Sequence, residues 1–373
     1  LFAATNVLRE RIAQARNLEN FELSQSYLAF WDKFERCNYF LESILETAAL
    51  PTTDRTVMHI LSTGVHDGGQ WDMFANIVRK YGVVPKDVYD ETYQSSNTRS
   101  MNAQLNRALK VAAADLRRMA ADKADADAIQ AEKNKTLDAI YGFLCSCYGE
   151  PPKAFDFEFV DKDQVYHIEK NLTPLTFAER YVGDLLDQVV SVINAPTADK
   201  PYHKTYTIRL LGNVVEGRPV VHLNLTMDEL KAAIIAQLKA GKVVWFGSDV
   251  GHFGERTQGV WDDRSFDFAA LTGLSLAMDK ADALDYGLAA MNHAMVLTGV
   301  NLDEAGKPTR WKIENSWGDK NGEKGYYVCS DSWFDQYVFQ AAVEREYLGG
   351  LADLAAQEPI VLEPWDPMGT LAD

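Results

Sequence analysis

The chain has 373 residues, of which 47% are hydrophobic and 11% aromatic, and this is enough for one large core or for two lobes. Its net charge of -17 argues against long-range attraction to nucleic acid or to anionic lipid. No apolar stretch approaches the roughly 18 residues of a membrane span, and no basic segment followed by an apolar run opens the chain. The composition therefore predicts a soluble protein without a membrane span or signal peptide.

The chain contains four cysteines, Cys37, Cys145, Cys147 and Cys329. Their number and spacing do not resemble a disulfide framework, and Cys145-x-Cys147 is neither a redox motif nor half of a usual zinc site. We expect all four to be reduced, which favours a cytoplasmic protein. No group of His, Cys or carboxylate residues has metal-binding spacing, so the sequence predicts no metal and no cofactor.

The first hundred residues have the periodicity of helices. Leu1–Gln14 has helical apolar spacing but no capping residue before it, which indicates either a frayed terminus or, as we favour, a chain whose preceding segment is missing. A second helix is predicted from Ser24, with apolar residues at alternating steps of three and four. After the turn His66–Gly69, a third helix is predicted from Trp71 and ends near Gly82.

Helices are predicted first and strands later. Residues 101–142 predict an exposed helical insertion, either a lid or an oligomer arm. Strands are expected from about residue 154, and Thr226-x-x-Glu229 is a capping box that opens a further helix. The predicted strands are Tyr206–Leu210, Pro219–Leu225, Val243–Phe246, Ala294–Val300, Trp311–Ile313 and Tyr326–Cys329. This order predicts an α+β protein with a helical lobe and a β-rich lobe.

Two short motifs in the β-rich part predict chemistry. His293 opens an apolar strand, and Asn315 lies 22 residues further on in Glu314-Asn315-Ser316-Trp317-Gly318. Alone, the histidine is more often structural, and the second motif is equally typical of an Asx loop. Together they supply what a thiolate–imidazolium peptidase needs, since the imidazole exchanges protons and the asparagine oxygen fixes its tautomer. Trp317 would shield that hydrogen bond from water.

These motifs resemble a known family. Asn292-His293-Ala294 and Glu314–Gly318 are similar to the His and Asn motifs of papain-like cysteine peptidases, and Asp67-Gly68-Gly69 is similar to their substrate-binding Gly-Gly turn. Longer segments resemble aminopeptidase C and bleomycin hydrolase across essentially the whole chain. They are Ser24–Lys33, Asp67–Met73 and Trp365–Gly369.

The resemblance implies a fold and a set of site residues. The fold is a papain-like two-lobed α+β domain over 1–373, with a helical lobe (1–100), a helical insertion (101–150), a mainly β-rich lobe (151–350) and a C-terminal arm entering the cleft (351–373). The implied catalytic residues are His293 and Asn315. The implied substrate-binding residues are Asp67, Gly68, Gly69, Asn292, Trp317, Ala372 and Asp373.

The chain departs from the family pattern at both ends. The family nucleophile lies in a Gly-Arg-Cys-Trp segment followed by Leu-Phe-Ala, and this chain begins at Leu1-Phe2-Ala3. We therefore expect the cysteine two residues before Leu1, with the oxyanion-hole glutamine further upstream, and we expect the bare chain to be inactive. The family turn commonly begins with Asn where this chain has Asp67. Asp373 extends the usual Leu-Ala end and leaves the cut length open.

The resemblance implies a cytoplasmic thiol aminopeptidase of peptides, assembled as a homohexamer. In the family, the arm matching Glu363–Ala372 places its terminal carboxylate against the α-amino group of the substrate. Two alternatives stay open: a thiol endopeptidase on the same scaffold, and an inactive homologue that binds peptides. The charge of -17 argues against nucleic acid as a partner.

Overall fold

The computed structural model describes residues 1–370 and confirms the α+β class. Its helices are α1 (Phe2–Ala15), α2 (Gln25–Glu46), α3 (Arg55–Thr63), α4 (Trp71–Tyr81), α5 (Tyr93–Ser96), α6 (Arg99–Ala121), α7 (Ala126–Tyr148), α8 (Pro174–Tyr181), α9 (Leu185–Gln188), α10 (Met227–Lys239), α11 (Phe268–Thr272), α12 (Lys280–Asp285) and α13 (Asp331–Tyr337). Short 3₁₀ segments are Lys86–Val88, Arg345–Tyr347, Gly349–Ala356 and Pro367–Gly369.

The strands lie mostly in the second half of the chain. They are β1 (Phe155–Val160), β2 (Tyr166–Leu172), β3 (Val189–Ile193), β4 (Thr205–Ile208), β5 (Val221–Asn224), β6 (Val244–Ser248), β7 (Gly254–Glu255), β8 (Val260–Trp261), β9 (His293–Leu302), β10 (Pro308–Glu314), β11 (Tyr326–Ser330), β12 (Val338–Glu344) and β13 (Ile360–Leu362). All six strands predicted from the sequence are present within a few residues of their expected bounds.

The chain forms two compact units. The helical unit contains Leu1, Ala13–Gly183 and Leu210–Val220, and the β-rich unit contains Phe2–Ile12, Asp184–Arg209 and the chain from Val221 onward. These divisions differ from the predicted segments. The β1–β2 hairpin and α8 belong with the helices, and most of α1 belongs to the β-rich unit.

Helix α2 is the centre of the helical unit. Ser24 is its N-cap and accepts a hydrogen bond from the Tyr27 amide at 3.1 Å, as a helix start requires. The predicted apolar face is buried, but so are four charged side chains of the helix. These are Asp32, Lys33, Glu35 and Arg36. The sequence pattern showed one buried face because it records hydrophobic residues and gives no sign of charges that are buried with partners.

The predicted insertion is a pair of long helices, α6 and α7, packed against α2. Leu105, Leu109 and Leu116 of α6 are buried at 1% exposure or less, so this face is part of the core. The expectation of an exposed segment therefore holds only for the outer faces of the two helices.

An eleven-stranded sheet organises the β-rich unit, in the order β13-β4-β5-β3-β12-β6-β9-β10-β11-β8-β7. Strands β9 and β10 are antiparallel neighbours, and Glu314 at the end of β10 pairs with Val296 near the start of β9. The start of β9 and the end of β10 therefore lie next to each other, at the same end of these two strands. This topology brings His293 and Asn315 together although 22 residues separate them.

The end of the described chain packs on the β-rich unit. Strand β13 pairs in parallel with β4, and Lys200 forms an ion pair with Asp366 at 3.0 Å. Ala372 and Asp373, which were predicted to bind substrate, lie outside the described residues. Within 1–370, no helix is both long enough and apolar enough to span a membrane.

Candidate active site

His293 and Asn315 form a hydrogen-bonded pair at the sheet edge. His293 Nε2 lies 2.8 Å from Asn315 Oδ1, and the same oxygen accepts a hydrogen bond from the Ser316 amide at 2.8 Å. Because an amide oxygen only accepts, the proton of this bond is on His293 Nε2. The neutral imidazole then has its lone pair on Nδ1, the atom left to exchange a proton with a reacting group.

The surroundings of His293 favour its neutral form. Burial lowers the pKa of His293, the hydrogen bond to Asn315 acts in the opposite direction, and the positive charge of Arg256 lowers it further. The Trp317 ring stacks on the imidazole with centroids 4.8 Å apart, as expected for a residue that shields the pair. The Arg256 guanidinium lies over the Trp317 ring at 4.6 Å.

Asn292 was predicted to bind substrate, but its side chain has partners within the protein. Its Oδ1 accepts a hydrogen bond from the Val250 amide at 3.0 Å, and its Nδ2 donates to Asp249 Oδ1 at 2.6 Å. Asp249 also accepts a hydrogen bond from the Ala290 amide at 3.2 Å. The Asn292 amide also donates to the Ser248 carbonyl at 3.0 Å. These bonds fix the loop that leads into His293, so the side chain of Asn292 positions the histidine.

The Asp67-Gly68-Gly69 turn is in the helical unit, where two cations of α2 hold it. Lys33 Nζ donates to the His66 carbonyl at 2.8 Å and to Asp67 at 2.5 Å, and Arg36 donates to the Gly68 carbonyl at 2.5 Å. A side chain at Gly69 would place its Cβ 3.0 Å from the Arg36 guanidinium, which would then have to shift by a few tenths of an ångström.

The Asp67 carboxylate is also committed to internal partners. Besides Lys33, it accepts hydrogen bonds from Thr98 at 2.6 Å and from Asn102 at 3.1 Å. Burial would raise the pKa of Asp67, but the Lys33 charge and these three bonds lower it to about 2. Asp67 is therefore a charged anchor of the turn. The backbone of Gly68 is also bound within the protein, since its amide donates to His66 Nδ1 at 3.2 Å and its carbonyl accepts from Arg36.

The cysteines of the chain are not arranged as a nucleophile. Burial raises the pKa of Cys37 to about 12 and raises that of Cys147 and Cys329 as well. Cys145 is half-buried on α7 in the helical unit. Cys329 pairs with Trp311 in the sheet, three residues along β11 from Tyr326, which faces Glu314. Burial therefore disfavours the thiolate of Cys37, Cys147 and Cys329, which argues against these three as nucleophiles.

Three residues of the site environment had no local signal in the sequence. Asp249 and Arg256 lie directly after β6 and β7, and Tyr327 packs edge-on against Trp317 with centroids 5.9 Å apart. Asp249 is 43 positions from its partner Asn292, Arg256 is also distant along the chain from Trp317, and no motif links any of the three to its partner. Over residues 1–370, no group of three or more His, Cys, Asp or Glu residues is arranged to hold a metal ion.

Comparisons with known proteins agree with this geometry. A sequence model of the Peptidase C1-like family matches residues 1–369. Aminopeptidase C of Streptococcus thermophilus is 51% identical, and human bleomycin hydrolase is 40% identical; each alignment covers 100% of this chain and 84% of the relative. A crystal structure of PepW from Lactobacillus rhamnosis superposes with a TM-score of 0.97 at 51% identity, over 100% of this chain and 84% of that one. The chain therefore belongs to the peptidase C1-like family, together with aminopeptidase C and bleomycin hydrolase.

Proposed function

We propose that this chain is the larger part of a thiol aminopeptidase whose nucleophilic cysteine precedes Leu1. The observation that carries the proposal is the His293–Asn315 pair, in which Nε2 is bound and Nδ1 is left for proton exchange. The names of the relatives, aminopeptidase C and bleomycin hydrolase, support a cysteine-type aminopeptidase. Burial raises the pKa of Cys37, Cys147 and Cys329, which supports a nucleophile other than these three thiols.

The proposed reaction proceeds through an acyl-enzyme. The cysteine thiol gives its proton to His293, and the thiolate attacks the carbonyl carbon of the scissile peptide bond. As the C–N bond breaks, His293 returns the proton to the leaving amine. A water molecule then gives a proton to His293 and attacks the thioester, and the thiol leaves with that proton. Asn315 holds the imidazole so that Nδ1 performs all four transfers.

We further propose peptides as substrates, bound through the backbone of Gly69, because both backbone groups of Gly68 have partners within the protein. The exopeptidase register would come from a carboxylate presented by a C-terminal arm, as the family resemblance implies, since a carboxylate attracts a free α-amino group and blocks longer extensions. A cytoplasmic location and a homohexameric assembly belong to the same proposal. The net charge of -17 supports a protein that does not bind nucleic acid.

The test compares two substrates on the full-length gene product: a free aminoacyl fluorogenic amide and its N-acetylated counterpart, each with and without iodoacetamide. We expect turnover of the free amine only, abolished by alkylation. Equal cleavage of the blocked substrate would replace the aminopeptidase with a thiol endopeptidase. A folded full-length protein without alkylation-sensitive turnover would contradict the enzyme and favour a peptide-binding homologue. The 373-residue chain alone serves as the control and should show no turnover.

A further inference from the structure

An ion pair connects α1 to the end of β10, directly before Asn315. Arg9 Nη2 lies 2.9 Å from each of the two carboxylate oxygens of Glu314. The two side chains are only 17% and 15% exposed, so the pair is largely screened from water. Such a pair interacts more strongly than an exposed one, and its geometry is fixed.

Neighbouring residues hold both members of this pair. Asn6 Nδ2 donates to Glu314 Oε1 at 3.3 Å, and Glu10 accepts hydrogen bonds from Arg9 at 3.2 and 2.8 Å. Burial alone would lower the pKa of Arg9, but Glu314 and Glu10 together raise it above its usual value. The guanidinium is therefore charged throughout the working pH range.

Glu314 is fixed on the sheet side as well. It pairs with Val296 of β9 and with Tyr326 of β11, so its backbone is held between two strands. The next residue is Asn315, whose side chain fixes His293. Glu314 thus connects α1 to the end of β10, and the next residue, Asn315, is the hydrogen-bond partner of His293.

We propose that Arg9 is a positioning residue that sets the place of α1 relative to the His293–Asn315 pair. This inference rests on the proposed function, in which the nucleophile lies just before Leu1 and is therefore continuous with α1. The eight helical residues from Phe2 to Arg9 are separated by seven steps of about 1.5 Å, or roughly 10 Å, and a helix of that length transmits a fixed position. Because a displacement of about 1 Å can cost about a hundredfold in rate, one ion pair at this point has a large effect.

The same helix contains a matched control. Arg11 lies 3.6 Å from Glu344 at the end of β12, and Glu344 also binds Lys242 at 2.7 Å. This second ion pair likewise joins α1 to a strand of the β-rich unit, but it borders neither His293 nor Asn315. Arg11→Met therefore removes the same charge from the same helix without loosening the strand end that holds Asn315.

The experiment measures kcat, KM and thermal unfolding of the full-length gene product for Arg9→Met, Arg9→Lys, Glu314→Gln and Arg11→Met on the free aminoacyl fluorogenic amide. We expect Arg9→Met and Glu314→Gln to lower kcat about tenfold or more with KM within twofold. Arg9→Lys keeps a cation and should recover part of the loss. Arg11→Met should leave kcat within twofold and lower the melting temperature less than Arg9→Met does, because Arg11 is more exposed and Glu344 keeps its bond to Lys242.

A second readout does not depend on turnover. The Nε2 proton of His293 is bound to Asn315, and its NMR signal should broaden or shift in Arg9→Met and stay unchanged in Arg11→Met. If the wild type has no alkylation-sensitive turnover, the proposed function fails. The NMR signal of the His293 Nε2 proton alone then tests whether Arg9 is a positioning residue. Equal kcat and equal His293 signals in the two Met variants would overturn the inference, and if Arg9→Met does not fold, Glu314→Gln gives the same decision.

Discussion

Asn315 determines which nitrogen of His293 can react. Its side-chain oxygen has two donors directed at it, from His293 Nε2 and from the Ser316 amide. Removing this oxygen would leave the imidazole free to rotate and to adopt the other tautomer, in which Nδ1 carries the proton. Asn315 therefore determines the fraction of enzyme molecules in which His293 is correctly oriented to act as a base.

We predict that Asn315→Ala lowers kcat of the full-length protein about a hundredfold, at the lower end of what positioned acid–base groups contribute, with KM little changed. Ser316→Ala is the matched control, because Ser316 contributes its backbone amide and the side chain is exposed. Steady-state kinetics on the free aminoacyl amide measure both. A loss in Asn315→Ala no larger than in Ser316→Ala would mean that Asn315 does not orient the base.

Arg256 acts on the same histidine through charge. Burial is the larger reason that the pKa of His293 is low, and the Arg256 cation lowers it further by disfavouring a second positive charge. Arg256→Gln removes that repulsion, so the pKa of His293 should rise and the imidazolium should persist to higher pH. An NMR titration of the His293 ring measures this, with Arg264→Gln as control, since Arg264 is paired with Asp262 at 3.6 Å. An unchanged or lower pKa in Arg256→Gln would contradict the assignment.

At the scale of elements, the sequence was sufficient to predict a feature when the residues that form it are close together along the chain. The capping box predicted at Thr226 and Glu229 is present, with the Glu229 amide donating to Thr226 Oγ1 at 3.3 Å and Glu229 accepting from the Thr226 amide at 3.0 Å. Both groups lie within one turn of each other, so the motif needs no tertiary information.

We predict that Thr226→Ala lowers the free energy of unfolding by about 1 kcal/mol, the usual cost of losing an N-cap. Thr226→Ser keeps the hydroxyl and should stay within a few tenths of a kcal/mol of the wild type. Denaturant unfolding at constant pH compares the three proteins. Equal losses in the Ala and Ser variants would show that the methyl group of Thr226 matters more than its hydroxyl.

Where an element depends on distant partners, the sequence was insufficient. The short motifs at His293 and Asn315 predicted a pair because each adjoins an apolar strand, yet nothing local indicated that Asp249 fixes Asn292 or that Arg9 binds Glu314. The same reason explains the unit boundaries. Residues 151–183 have strand and helix patterns, and only packing assigns them to the helical unit.

At the scale of the whole molecule, a buried histidine makes stability depend on pH. His222 is 0% exposed, and its Nδ1 lies 2.8 Å from Ser191 Oγ in the neighbouring strand. Burial lowers the pKa of His222 from 6.5 to about 4. Between these values the unfolded chain binds a proton that the native protein excludes, so stability falls as pH decreases from about 6.5 to about 4.

Each pKa unit is worth about 1.4 kcal/mol, so this fall corresponds to about 3 kcal/mol from His222. We predict that His222→Gln, whatever its stability at pH 7, loses that part of the pH dependence. Unfolding by denaturant at pH 7, 5.5 and 4.5 measures the slope, and His167→Gln, whose side chain is 42% exposed beside Asp161, is the control. If the free energy of unfolding of His222→Gln changed with pH as steeply as that of the wild type, a group other than His222 would be responsible for the loss of stability in acid.

The ion pair between Arg9 and Glu314 also has a consequence for biosynthesis. The two residues are 305 positions apart, so at roughly 5 to 20 residues per second the ribosome makes Glu314 about 15 to 60 seconds after Arg9. Throughout that interval Arg9 has no partner on β10, although strands β1–β9 are made before that strand. The ion pair that joins α1 to the end of β10 therefore forms only after nine of the thirteen strands have been synthesised.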